Sequence, residues 1–277
     1  MSREMDWNAQ WGERLEKSSF RLRHQDLNTF WNIKAPAYCR MERAAGEKRA
    51  RNIMARLPVE AETTILDIGS GPGTLAIPLA KTAKRVTALD PSQKMLNRLK
   101  ESADQAGLTN ICTISRRWED VELHQDVEKH DIVIASYALS MPDLRGALIK
   151  MDQAATRAVY LYWYADDLSD SVYSDLWPRL FNGERYVHYP DYIYVINILH
   201  QLGIYANTEI VDDISDARFS SLDEAVIYWQ QNFKTVSQKQ TDIVRKYLSE
   251  TLVRRNGAFF LERKKKMANI FWKKSSK

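Results

Sequence analysis

Cysteine is nearly absent from this chain. Two occur in 277 residues, Cys39 and Cys112. They are widely spaced and give neither a disulfide framework nor a metal-ligand cluster. No grouping of His, Cys and acidic residues has the spacing of a zinc site. A reducing cytoplasm and chemistry without a metal are the expectation. Long apolar runs are missing as well; no stretch reaches the roughly 18–20 residues of a membrane-spanning helix. The opening residues Met1-Ser2-Arg3-Glu4-Met5-Asp6-Trp7 hold no apolar core of a secretory signal. Internal repeats and low-complexity tracts are absent, and the formal net charge of +4 is modest. The length permits one elaborated domain or two small ones, with ample chain for a core.

What is present is concentrated in one run, Ile65-Leu66-Asp67-Ile68-Gly69-Ser70-Gly71-Pro72-Gly73. It joins an apolar strand to a glycine turn, and a helical stretch, 74–80, follows. Glycine tolerates positive φ and lets the backbone approach a ligand, and a helix N-terminus adds free N–H groups. Such a turn suits a nucleotide-type cofactor. A dinucleotide turn requires G-x-G-x-x-G, and here Thr74 takes the place of its last glycine. Asp67, two residues before the first glycine, would repel a pyrophosphate but suits a cationic amino-acid group.

The following landmarks keep the same order. Residues 85–89 read as a second strand ending at Asp90, followed by Pro91 and Ser92. An acid at that strand end can accept hydrogen bonds from both hydroxyls of a ribose, or can cap the next helix. A third strand at 111–115 leads into Arg116-Arg117-Trp118-Glu119-Asp120-Val121. Residues 131–139 form a continuous apolar strand, as expected where both faces are buried. Residues 158–163 give a fifth strand. Strands alternating with helices from about 65 to 165 indicate βαβ units and a parallel sheet.

The acid-x-Gly-x-Gly-x-Gly run, Asp67 to Gly73, resembles motif I of the class I S-adenosylmethionine-dependent methyltransferases. The fourth strand resembles their motif IV, and the likeness covers about residues 60–165. It implies S-adenosylmethionine as cofactor, S-adenosylhomocysteine as product, and no metal. On this resemblance Asp67 interacts with the cofactor's amino-acid end, and Gly69, Ser70, Gly71 and Gly73 bring the backbone close. Asp90, with Pro91 and Ser92, lies against the ribose. The family usually places an acid for the adenine amine where this chain has Arg117. That departure leaves Glu119 to take the amine, or Trp118 to stack on the adenine or simply pack beneath the loop. Ser136 and Tyr137 fall beside the methionine moiety and the methyl group.

The expected architecture is α/β: a doubly wound, mostly parallel seven-stranded sheet with helices on both faces. Residues 1–62 are an N-terminal helical segment, 63–164 the cofactor-binding core, and 165–200 a cap inserted after the fifth strand. Residues 201–277 supply C-terminal helices and a final strand pair. A Ser-x-x-Glu capping box, Ser221 to Glu224, opens one of those helices. The cap region carries Tyr164, Asp166, Asp167, Tyr173, Trp177, Phe181, Tyr186, His188, Tyr189, Tyr192 and Tyr194. Such residues combine apolar area with a hydrogen-bonding end, which suits an acceptor pocket, a packing layer or a dimer interface.

Methyl transfer from a sulfonium is a direct displacement, so the protein mainly aligns an acceptor and excludes water. No catalytic motif is needed, and none stands out. Tyr137 is a candidate to face the acceptor, and His188 is a candidate general base. The Asn/Asp-Pro-Pro-aromatic turn of amino-directed DNA methyltransferases is replaced by Ser136-Tyr137-Ala138-Leu139, which argues against a nucleobase amine. The run Arg263-Lys264-Lys265-Lys266, with Lys273, Lys274 and Lys277, makes a basic terminus that either meets phosphates or is a solvated end. The leading expectation is transfer to a small-molecule acceptor. The alternatives are a tRNA, rRNA or protein methyltransferase, and a cofactor-binding homologue without catalysis. The sequence carries no signal for oligomeric state.

Overall fold

The computed structural model describes residues 5–41, 43–165 and 171–274. Met1 to Glu4, Asp166, Asp167 and Lys277 of the sequence reading lie outside these. The chain opens with four helices: α1 (Trp7–Glu16), α2 (Ser19–Arg23), α3 (Leu27–Met41) and α4 (Arg43–Met54). Then strands and helices alternate: β1 (Thr64–Ile68), α5 (Ala76–Ala80), β2 (Arg85–Leu89), α6 (Gln93–Gln105), β3 (Ile111–Ile114), β4 (His130–Ser136), α7 (Leu144–Ala154) and β5 (Ala155–Tyr164). The remainder runs α8 (Ser171–Leu180), α9 (Tyr192–Gln201), β6 (Asn207–Phe219), α10 (Leu222–Phe233), α11 (Gln238–Thr251), β7 (Val253–Arg255) and β8 (Ala258–Lys273).

The sheet order is β3-β2-β1-β4-β5-β8-β6. The first five strands pair in parallel, and β8 is antiparallel to both β5 and β6. Seven strands thus form the main path, as expected. The three-residue β7 adds an eighth, paired with the start of β8. Strand periodicity divides the core between two faces. Leu66, Ile68, Val133, Ala135, Val159 and Leu161 pack on one side with Leu148 and Met151 of α7, Ile198 of α9 and Trp11 of α1. Ile65, Ile132, Ile134, Ala158 and Tyr160 pack on the other with Ile53 of α4, Leu79 of α5 and Leu99 of α6. Consecutive apolar residues on β1 and β4 are what a strand covered on both faces requires.

Two elements differ from expectation in a way that matters. The helix after the glycine turn starts at Ala76, not Thr74, and is only five residues long. The Ser221 Oγ accepts the Glu224 N–H at 3.1 Å, but the Glu224 carboxylate turns back to the Ser220 N–H and hydroxyl, both at 2.7 Å. The reciprocal capping box is instead at Ser237 and Gln240, opening α11.

The antiparallel end is longer than the rest of the sheet. β5 pairs with β8 only from Met267 to Lys273, whereas β6 follows β8 back to Phe259. Residues 258–266 of β8 therefore run past the carboxyl end of β5. This overhang supports a third core, in which Phe219 and Leu261 meet Leu176 and Trp177 of α8, Trp229 and Phe233 of α10, and Leu248 of α11. The basic run 263–266 is a strand within this overhang rather than a terminal tail. Arg263 and Lys265 are half-buried, and they alternate with exposed Glu262, Lys264 and Lys266. The outer lysines are in ion pairs: Lys264 with Glu262 at 2.9 Å, and Lys266 with Asp212 at 2.9 Å.

Candidate active site

The carboxyl edge of β1 and β2 is organised by backbone hydrogen bonds. The Gly69 and Ser70 N–H groups both donate to the Leu89 carbonyl, at 2.7 and 3.0 Å. The Gly71 N–H donates to Asp90 Oδ2 at 2.9 Å, and the Ser92 N–H donates to Asp90 Oδ1 at 2.8 Å. The turn after β1 is thus fastened to the tip of β2 through Asp90. Gly69 has φ of +70°, and a Cβ there would stand 2.4 Å from the Ala138 Cβ. Only glycine lets the turn pass this close to the loop after β4. A Cβ at Gly71 would meet nothing within 4 Å, so this peptide faces open space.

That space is a cavity of about 530 Å³, within the usual range for ligand sites. Asp67, Gly69, Ser70, Gly71, Asp90, Pro91, Trp118, Glu119, Ser136, Tyr137 and His188 all line it. Two residues named from the sequence do not. Ser92 is buried, caps α6 through the Met95 N–H, and donates its hydroxyl to Asn32 Oδ1 at 2.9 Å. At Gly73 a Cβ would stand 2.9 Å from both Ile77 and Leu99, so the requirement there is close packing.

Asp67 is buried, and its Oδ2 has no protein partner; the same is true of Ser70 Oγ. The Asp67 carboxylate does accept the Ala76 N–H, but burial and the neighbouring Asp90 push its pKa up to about 7. Asp90 is also raised, chiefly by burial and against the two N–H groups it accepts. Each of its oxygens holds one N–H, and a carboxylate offers about four acceptor positions. Two carboxylates with spare acceptor capacity beside an open glycine peptide match a ligand bearing a cationic amine and vicinal hydroxyls. The residues present therefore fit S-adenosylmethionine.

Trp118 and Glu119 form a 3₁₀ turn held from α7. The Lys150 Nζ donates to the carbonyls of Trp118, Glu119 and Val121 at 2.9, 3.0 and 2.8 Å. Trp118 is 2% exposed and donates its Nε1–H to the Ala147 carbonyl at 3.2 Å. Arg117 pairs with Glu119 at 2.6 Å. The departure from the family pattern at Arg117 thus sits directly against the acid two residues on.

The cavity continues beyond the turn into a chamber rich in aromatics. Phe20, Phe30, Trp31 and Tyr38 enter from the N-terminal helices, Tyr137, Trp163 and Tyr164 from the sheet, Tyr173, Tyr186 and Tyr189 from 173–189, and Tyr228 from α10. The enclosure is tied together at several points. The Ser19 N–H donates to the Val187 carbonyl at 2.8 Å, and the Val187 N–H donates to Ser19 Oγ at 2.8 Å. The Lys34 Nζ reaches the Tyr228 carbonyl at 3.0 Å. The Trp163 Nε1–H donates to the Pro190 carbonyl at 2.8 Å.

Tyr137 occupies the junction of the two parts. Its φ is +54°, in the left-handed region that a bulky side chain rarely adopts. The Tyr137 hydroxyl donates to Asp213 Oδ2 at 3.5 Å, and Arg49 Nε is 3.3 Å from the same oxygen. The Arg49 guanidinium and the Lys265 Nζ lie 5.3 and 5.5 Å from the Tyr137 ring centre. Burial holds the phenol well above its ordinary pKa, with Arg49 opposing it. His188 lies edge-on to Tyr186, with ring centres 4.6 Å apart. Among the described residues no group of three or more His, Cys, Asp or Glu could hold a metal, and no helix is long and apolar enough to cross a membrane.

Residues 65–156 match the model of the methyltransferase domain family. An uncharacterized protein of Haemophilus influenzae is 32% identical over 186 residues, 66% of each chain. Over residues 65–156 the chain carries a methyltransferase domain. A ribosomal RNA small subunit methyltransferase G of Desulforamulus reducens is 37% identical over 82 residues, which cover 28% of this chain and 34% of that protein. This chain therefore spans about two thirds of the first relative and about one third of the second. The YcgJ protein of Bacillus subtilis shares the fold, with a TM-score of 0.55 at 15% identity over 82% of this chain and 98% of that one.

Within this methyltransferase, sequence reasoning missed Arg49, Arg263 and Lys265, all of which line the cavity. The signal for the last two was present: the i, i+2 spacing places them on one face of a strand. For Arg49, on a polar helix, there was none.

Proposed function

We propose that this protein transfers the S-adenosylmethionine methyl group to a small-molecule acceptor held in the aromatic chamber. The observation that carries this reading is continuity: the glycine turn, Tyr137 and the aromatic residues of the chamber line one and the same cavity. The bound cofactor supplies a sulfonium-activated methyl. The protein's part is to hold donor and acceptor in line and keep water out. In this reading Asp67 ionises on meeting the cationic amino-acid end, Asp90 accepts from the ribose hydroxyls, and Glu119 or Trp118 contacts the adenine. Tyr137, kept protonated by burial with its hydroxyl turned to Asp213, stands beside the reacting atoms as a wall rather than a base. His188 is the candidate for any proton that the acceptor loses.

An RNA acceptor is the second reading, and the likeness to ribosomal RNA methyltransferases motivates it. That likeness is short. The basic run that first suggested phosphate binding has two cations directed into the cavity and two paired on the outer face. The deciding experiment incubates the protein with methyl-labelled donor and cell extract divided into metabolite, RNA and protein fractions. Label in a compound of low molecular weight is expected. Label confined to RNA would overturn the small-molecule reading, and cofactor binding without turnover in any fraction would mark a homologue that does not catalyse.

A further inference from the structure

We infer that Asn32 is a positioning residue for the cofactor site: its side-chain oxygen ties α3, a wall of the chamber, to the acid that faces the ribose. This rests on the ribose assignment of Asp90 made above and holds for any acceptor. The first N–H groups of a helix have no partner within it. At the start of α6, Ser92 Oγ accepts the Met95 N–H at 3.2 Å, as an N-cap residue does. The Lys94 N–H, one position earlier, is taken from another element: it donates to Asn32 Oδ1 at 3.2 Å. The same oxygen accepts the Ser92 hydroxyl at 2.9 Å. A side chain of α3 thereby completes the cap of α6.

The contacts continue in both directions. Toward the cofactor, the Ser92 N–H donates to Asp90 Oδ1 at 2.8 Å, and the Gly71 N–H donates to Asp90 Oδ2 at 2.9 Å. Toward the chamber, Asn32 Nδ2 donates to Asn28 Oδ1 at 3.1 Å, one turn back on α3. Asn28, Phe30, Trp31 and Tyr38 of that helix line the cavity. A path of hydrogen bonds thus runs from Gly71 through Asp90, Ser92 and Asn32 to Asn28. The amide suits its place because it carries an acceptor and a donor on one planar group. An apolar residue at 32 would leave the hydroxyl of fully buried Ser92 without its acceptor. A buried donor left unpaired costs more than a typical hydrogen bond contributes. Ser92 would then shift to find a partner, and the Asp90 carboxylate bonded to it would move as well. Asn32 therefore holds the ribose acid and the α3 wall in one frame, which alignment of donor and acceptor requires.

The test pairs calorimetry with hydrogen–deuterium exchange on the full-length protein, with S-adenosylhomocysteine as the ligand. In the parent, saturating ligand should slow exchange both at 69–73 and along 27–41. Asn32→Ala keeps a good helix former in α3 and should bind the ligand about fivefold or more weakly, the equivalent of one ordinary hydrogen bond. At saturating ligand it should retain the slowing at 69–73 and lose most of that at 27–41. Asn32→Asp keeps an acceptor for both donors at the positive end of α6 and should preserve both responses. Ser92→Ala severs the same path from the other side and should reproduce the effects of Asn32→Ala, which covers the case of an Asn32→Ala protein that does not fold. A residue that only steadies α3 would speed exchange at 27–41 with and without ligand alike, leaving the ligand-dependent difference as in the parent. That result, an unchanged affinity in Asn32→Ala, or a parent whose exchange at 27–41 ignores the ligand would overturn the inference. Asp90→Ala, measured beside these, separates two failures. If it weakens binding and Asn32→Ala does not, the ribose assignment stands and the role of Asn32 falls; if neither weakens binding, both fall.

Discussion

The replacement Asp67→Asn should make the empty protein more stable and the cofactor-binding protein worse. Asp67 is buried, one of its oxygens has no protein partner, and its pKa stands near 7 against an ordinary 3.8. The sign follows from linkage. A carboxyl whose folded pKa is raised favours the protonated folded state. Its contribution is fully present below the unfolded value near 4 and is lost as pH rises through the folded value near 7. The difference is roughly three pH units, each about 1.4 kcal/mol, so the loss is on the order of 4 kcal/mol above neutrality. Asparagine removes the ionisation and keeps an oxygen for the Ala76 N–H. Urea unfolding of both proteins at pH 4 and pH 8 isolates the effect, because every other titrating group is common to the pair. The variant should gain a few kcal/mol over the parent at pH 8 and much less at pH 4. With S-adenosylhomocysteine present the ranking should reverse, since the carboxylate is then needed. The parent's affinity for that ligand should itself fall as pH drops below 7, by up to about tenfold per unit. A variant–parent stability difference that is the same at both pH values would refute the reasoning.

Three other outcomes follow from the site's geometry. Asp90→Ala removes the acceptor for Gly71 and Ser92 and should weaken S-adenosylhomocysteine binding tenfold or more, at about 1.5–3 kcal/mol for bonds to a charged group; unchanged affinity by calorimetry would sink the ribose assignment. Gly69→Ala puts a methyl 2.4 Å from the Ala138 Cβ at φ +70°. It should cost roughly 2–4 kcal/mol in denaturant unfolding, combining left-handed strain with overpacking. Lys150→Met deletes three hydrogen bonds to the 118–121 turn and should lower both the melting temperature and S-adenosylhomocysteine affinity, the latter several-fold; a shift in melting temperature alone would show that the turn does not touch the ligand.

Much of the sheet was legible because its signals are local. Continuous apolar runs flanked by polar breaks mark strands buried on both faces, and β2 was placed at 85–89, its observed span. The acid after β2 and the glycines after β1 were likewise readable, since φ and close approach restrict which residues can stand there. The weaker readings failed where a residue had a choice of partner. Ser221 and Glu224 had the spacing of a reciprocal cap, yet the Ser220 N–H and hydroxyl offered Glu224 a better pair of donors. The turn is held by the Leu89 carbonyl and Asp90 as far as Gly71, and successive turns then lead into the helix, with Leu75 already in the right-handed helical region.

By itself the sequence determined the parallel half of the sheet, the turn at its carboxyl edge and the two acids that flank it. Spacing along the chain is enough for those, because each depends on neighbours within a few tens of residues. The aromatic end of the cavity was decided only by tertiary structure. Its walls come from α2 and α3, the loops around 186–189, α10 and the β8 overhang, segments separated by up to 200 residues and more. The basic run near the C-terminus is the clearest instance. As a string it is four consecutive cations. Paired antiparallel between β5 and β6 it becomes two faces, and only the pleat of a strand extended past its neighbour sends Arg263 and Lys265 to Tyr137 while Lys264 and Lys266 meet acids outside.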